Sequence, residues 1–149
     1  MMATAAALTL LAGSASGAPR PQISEAALQK AFTGYLREWS SEQGISRSAM
    51  NRYYADHVIY YGKPMSRDEV FRDKVRYVAA WPERHYSVVP GSLSVTCTSD
   101  TSICRTRGLM RWDRRSTRGT RSTGTALLTL TASRQSGGKI VRESAVIRD

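Results

Sequence analysis

A chain of 149 residues, 41% of them hydrophobic, is long enough for one domain around one core, and two cysteines are too few for a disulfide-stapled miniprotein. Twenty-two basic residues, eighteen of them arginine, stand against twelve acidic ones, and the net charge of +10 favours anionic neighbours over basic ones. The arginines are spread along the chain, so a solvated basic surface competes with any reading as a dedicated anion-binding tract.

Residues 1–18, MMATAAALTLLAGSASGA, hold an apolar segment from Ala3 to Ala12 followed by small residues. This is the pattern of a secretory signal with cleavage near Ala15 or Ala18, and ten apolar residues are too few to span a bilayer. A periplasmic or secreted protein is expected, with residues 19–149 as its single domain. Next, Leu28, Ala31, Phe32, Tyr35, Leu36 and Trp39 recur at helical spacing behind Ser24, a natural N-cap. A second, shorter helix is predicted over Arg47–Ala55, with Met50, Tyr53 and Tyr54 on its buried side. HVIYYG, rich in β-formers and ended by Gly62, reads as a strand. SRDE at 66–69 reads as a capping box, in which Ser66 and Glu69 bond each other's backbone amides. It opens a third helix carrying Val70, Phe71, Lys74, Tyr77, Val78 and Trp81 on one side, and Pro82 ends it.

Everything after Arg84 reads as strand, in four runs over 84–98, 103–114, 120–133 and 139–148. Pro90-Gly91 can bulge the first run. Cys97 and Cys104 flank TSDTSI, and paired across that hairpin they face each other at disulfide separation. Alternation then puts Leu93, Val95, Met110 and Trp112 on the cysteines' face and Arg105, Arg107 and Arg111 on the other. Gly124, Ala126, Leu128 and Leu130 alternate in the third run. In the last, Val141, Ala145 and Ile147 face inward, and so does Glu143.

Three helices followed by a long antiparallel meander give an α+β architecture, with a strongly curved, mainly antiparallel sheet wrapping the helices into a cone. Tyr54-Ala55-Asp56, the strand Val58–Tyr61, Gly62, and Ser66 with Glu69 resemble the corresponding stretch of the nuclear transport factor 2-like superfamily, which includes ketosteroid isomerases, polyketide cyclases and non-catalytic modules. In isomerase-like members a carboxylate base follows the edge strand. Here Tyr60, Tyr61 and Gly62 stand in its place, and His57 and His85 are the chain's two histidines. The resemblance therefore implies the fold and argues against isomerase chemistry.

Glu143 is the costliest inward residue, because a lone buried carboxylate must be paired, protonated or used. A salt bridge to Arg84 or to the neighbourhood of Arg142 is expected, with a catalytic base as the rival reading. His85 and Tyr61 are the other catalytic candidates, while His57 reads as a surface residue. WPERHY at 81–86 places Trp81, Arg84 and Tyr86 where the third helix hands over to the sheet. With Trp112 they can bind a planar or anionic ligand, or simply lock helix to sheet. No cofactor and no metal are expected, two cysteines without a nearby histidine being too few for zinc.

Three functions remain. The first is a non-catalytic binding or assembly module, as a homodimer or with a protein partner through its sheet. The second is a polyketide-cyclase-like enzyme using the cone, and the third an adaptor for anionic envelope polymer through Arg105, Arg107 and Arg111. Nucleic acid is disfavoured, because that face lacks interleaved aromatics. A cone plugged by Trp39, Trp81, Trp112 and Met110 would favour the module, and an open cavity with polar groups converging in it the enzyme.

Overall fold

The computed structural model describes residues 23–148, so the signal-like segment 1–18 lies outside the described residues. Three helices come first: α1 (Glu25–Trp39), α2 (Arg47–Tyr53) and α3 (Arg67–Ala80), with β1 (Tyr54–Tyr60) and β2 (Lys63–Ser66) between the last two. Then follow β3 (Glu83–Val88), β4 (Ser94–Cys97), β5 (Ile103–Arg115), β6 (Arg121–Ser133) and β7 (Lys139–Arg148). The strands form one curved sheet in the order β2-β1-β7-β6-β5-β3, with β4 paired to the far end of β5. All pairings are antiparallel except β1 with β7. The architecture is the expected α+β cone.

Helix α1 supplies the core because Leu28, Phe32, Tyr35, Leu36 and Trp39 lie on one stripe and are all buried. Each such side chain contributes about 1.5–3 kcal/mol by leaving water. Ser24 caps α1 by accepting from the Ala27 amide at 3.1 Å, and Ser66 caps α3 from the Glu69 amide at 3.1 Å. The reciprocal half of the expected capping box is not made, and Ser66 instead ends β2 opposite His57. Gly108 is required where β5 passes under α1, since a Cβ there would meet the Phe32 ring at 3.0 Å and Leu93 at 2.8 Å.

Four boundaries differ from the sequence reading. Helix α2 stops at Tyr53, and Tyr54 is already extended, so Tyr54, Ala55 and Asp56 open β1. The expected glycine turn is a two-residue hairpin, Tyr61-Gly62, between β1 and the unforeseen β2. Both turn residues have positive φ, 49° and 81°, as such hairpins demand. Run 84–98 divides into β3 and β4, because Pro90 cannot donate to a ladder and Gly91 turns the chain with φ 76°. In β7 the pairing slips between Thr131 and Ala132, so Val141 falls in a bulge and Ile140 takes the buried place expected for it.

Cys97 and Cys104 are direct cross-strand partners and are joined by a disulfide. They close the narrow end of the cone, where Leu28, Cys104 and Ala132 form a small second core.

Candidate functional site

The wide end of the cone is hollow. A cavity of about 540 Å³ opens there, walled by Trp39, Tyr77, Tyr86, Met110, Trp112 and Leu128, with Tyr35, Tyr60, Lys74 and Glu143 at its floor. Trp112 holds its place because its cross-strand partner is Gly124, where a Cβ would strike the indole at 2.2 Å. The indole N–H donates to Ser122 at 3.2 Å, which fixes the ring's rotation. Trp39 lies nearly parallel to Tyr86, with ring centroids 6.1 Å apart. Ala126 and Ala145 leave the wall low. Ile147 also lines the cavity but is 71% exposed, at the mouth rather than in the core as expected.

Glu143 does face inward, and it is buried. Its partner is neither Arg84 nor a neighbour of Arg142. Tyr35 donates to it at 2.8 Å, Tyr54 donates to the other carboxyl oxygen, and Tyr61 donates at 3.3 Å. The ammonium of Lys74 lies 4.0 Å away and donates to the Tyr35 hydroxyl at 2.8 Å and more loosely to Tyr60 at 3.4 Å. Lys74 is itself caged by rings, its Nζ 4.4 Å from the Trp39 ring centroid and 5.1 Å from that of Tyr35. Such faces stabilise a cation through their quadrupoles. Burial pushes the Lys74 pKa down, and Glu143 opposes that shift. Burial, reinforced by the charge of Glu143, drives Tyr35, Tyr54 and Tyr60 well above the ordinary phenol value, so they remain hydrogen-bond donors. Tyr61 reaches Glu143 from a strained left-handed turn position, at a cost of about 1–2 kcal/mol for a residue with a Cβ.

The expected ligand set divides. Tyr86 and Trp112 line the cavity, as does Tyr61, whereas Trp81 and Arg84 do not. Arg84 is buried and spent on the backbone. It donates to the carbonyls of Trp39 at 3.1 Å, Trp81 at 2.8 Å, Pro82 at 3.1 Å and Ser41, welding the ends of α1 and α3 to β3. Trp81 lies outside, beneath the guanidinium of Arg114 at 4.1 Å. His85 is exposed on the outer face opposite Asp113, and His57 is exposed on β1, so neither histidine reaches the cavity.

Sequence reasoning missed Lys74 and Arg114 as cavity residues. Lys74 had one available signal, its place on the apolar stripe of α3. Arg105, Arg107 and Arg111 are exposed on the outer sheet face as expected. Register lines them up with Thr131, Thr129 and Thr125 of β6, and β7 adds Arg142 and Arg148 at the outer rows. Among the described residues no helix is long and apolar enough to cross a membrane, and no cluster of three metal-ligating side chains occurs.

Comparison by sequence finds neither a matching family model nor a matching curated protein. Comparison by structure is decisive for the fold. A nuclear transport factor 2-like protein of unknown function from Exiguobacterium sp. aligns with a TM-score of 0.57 at 15% identity, over 80% of this chain and 98% of its own. A SnoaL-like polyketide cyclase from Agrobacterium tumefaciens gives 0.58 at 16% identity, over 82% and 91%. A provisionally assigned aromatic ring hydroxylase from Novosphingobium aromaticivorans gives 0.70 at 13% identity, over 83% and 88%. The chain therefore has the fold of the nuclear transport factor 2-like superfamily, a cone of three helices and a curved sheet around a cavity.

Proposed function

We propose that the protein binds a planar, largely apolar small molecule in the cone and does not turn it over. The cavity is open, as an enzyme would require, but its floor groups satisfy one another instead of converging on the open space, and that observation carries the non-catalytic reading. Glu143 accepts from three phenols and Lys74 is held by two, and both side chains are almost wholly buried, so neither offers a ready lone pair or proton to a substrate. A pocket of this size and apolar character suits a small ligand buried over most of its surface. The Cys97–Cys104 disulfide suits an oxidising compartment, in keeping with export.

The test is a titration with 2-naphthamide, a neutral bicyclic aromatic, followed by the indole N–H resonance of Trp112. The resonance should shift in the wild type and stay still in Ala145→Phe, which fills the cavity. An unresponsive wild type, or equal binding by the filled variant, overturns the reading.

A second reading concerns the outer face. None of Arg105, Arg107, Arg111, Arg142 and Arg148 forms an ion pair among the described residues, which favours an anionic polymer there. Salt-sensitive binding to polyphosphate, lost in Arg105→Ser/Arg107→Ser, would support it. Binding that survives those changes would remove it.

A further inference from the structure

Arg114 is a wall residue of the cavity whose hydrogen bonding is left incomplete among the described residues. Its Nη1 donates to the Tyr77 hydroxyl, and its guanidinium lies over the Trp81 and Tyr77 rings at 4.1 and 5.5 Å. Beyond that its donors are idle. Nε is closed off from water and has no acceptor. No carboxylate lies within ion-pair distance of it among the described residues, the cavity's two acids being engaged elsewhere: Glu143 with Lys74 and the phenols, Asp73 with Arg76. A guanidinium carries five N–H donors and no acceptor, so a half-buried one with a single protein partner is short of both acceptors and negative charge.

Tyr77 adds a second unmet donor. Its oxygen accepts from Arg114 and from the Tyr86 hydroxyl at 3.0 Å, which fills both lone pairs. Its own proton then has no acceptor among the described residues. Burial pushes Tyr86 up from the ordinary phenol value, so that hydroxyl too stays a donor. Arg114, Tyr77 and Tyr86 all line the cavity; both phenol rings pack against Trp39, and Trp112 is the cross-strand partner of Tyr86.

We propose that Arg114 and Tyr77, with Tyr86 holding the Tyr77 oxygen, form an anion-binding subsite in the cavity wall, and that the ligand of the cone is a planar aromatic carboxylate. This rests on the reading of the cavity as a small-molecule site and names what that site selects. The carboxylate supplies acceptors to the Tyr77 hydroxyl and the Arg114 edge and neutralises the guanidinium, while the attached ring lies along the aromatic wall. A carboxylate fits better than a neutral acceptor because charge-assisted bonds are about twice as strong as neutral ones, and a flat two-oxygen group matches a guanidinium edge.

The experiment compares 2-naphthoate with 2-naphthamide by calorimetric titration of the wild type, Arg114→Gln and Tyr77→Phe. The wild type should prefer the carboxylate by about tenfold or more. Arg114→Gln should lose that preference while keeping its affinity for the amide, and Tyr77→Phe should lose about half of it on a logarithmic scale. Should Arg114→Gln fail to fold, Tyr77→Phe decides alone. Equal binding of the two probes by the wild type overturns the subsite and leaves the cavity reading standing. A preference that survives Arg114→Gln also overturns it, placing the anion at Lys74 or Lys63. If neither probe binds, the cavity reading fails and the subsite falls with it.

Discussion

Arg84 and Arg114 are direct cross-strand neighbours on β3 and β5 and point to the same side of the sheet, yet they do opposite things. Two like charges set opposite each other are unfavourable unless each has its own partners. Arg84 has them, because four backbone carbonyls from the ends of α1 and α3 converge on it. Arg114 has one phenol and two aromatic faces. A guanidinium surrounded by carbonyls is a weld, since four of its five N–H donors are tied to the fold. One left facing rings and a cavity retains the capacity to recognise something else. Residue type and burial do not separate the two; the supply of acceptors does.

High pH should separate these regions most strongly. The cavity side is rich in phenols, whereas the Arg84 side is held by backbone carbonyls around a guanidinium whose pKa burial lowers. Tyr35, Tyr54, Tyr60 and Tyr86 have folded pKa values above the ordinary 10.0, chiefly through burial. Their contribution is present below pH 10 and is lost as pH rises above it, by about 1.4 kcal/mol per group per pH unit. Four groups give about 5 kcal/mol by pH 11, and Lys74, shifted downward by burial, works against that loss. Melting temperature should fall steeply above pH 10, with the phenolate absorbance of these four rings appearing only on unfolding. Phenolate signal from Tyr35, Tyr54 or Tyr60 in a chain that is still native would show that water reaches the cavity floor.

Substitution sharpens the contrast. Arg84→Met leaves four carbonyls, one buried and three partly buried, without their donors and should cost about 3 kcal/mol in urea denaturation, with Arg84→Lys recovering little because one ammonium cannot reach them all. Glu143→Gln should cost about 3 kcal/mol, since Lys74 is then buried without its counter-charge and an amide N–H₂ meets phenol donors. Adding Lys74→Met to that change should cost less than the two losses summed. Arg114→Gln should lie within about 1 kcal/mol of the wild type, because little in the fold depends on its charge. A large loss there would make Arg114 a second weld and erase the distinction.

The fold was legible because its signals are local and periodic: the α1 stripe, Ser24 and Ser66 as caps, Pro82 as a stop, and the Cys97/Cys104 spacing. Inward Glu143 was legible from strand alternation, even though the Val141 bulge moved its neighbour. Its partners were not. Tyr35, Tyr54, Lys74 and Glu143 come from four elements, and no local pattern reports which of them meet. The same limit hid the division of WPERHY. Their place at the handover from α3 to the sheet grouped Trp81, Arg84 and Tyr86, but whether each meets carbonyls or open space depends on where the ends of α1 and α3 arrive. His85 was offered as a cavity residue because the register of β3 was uncertain across Pro90-Gly91, and that register turns it outward.

The single parallel pairing in the sheet bears on the order of assembly during folding. β1 lies against β7, so Tyr54 is separated by 89 residues of chain from Glu143, which accepts its proton. Until β7 docks, the three phenols and Lys74 are an interior without its acceptor, and β1 has a partner only in β2. Contacts so distant in sequence slow folding and leave strand edges exposed while they are awaited. The hairpin closed by Cys97 and Cys104 needs nothing beyond its own few residues. The narrow end of the cone can therefore set early, and the floor of the cavity closes last.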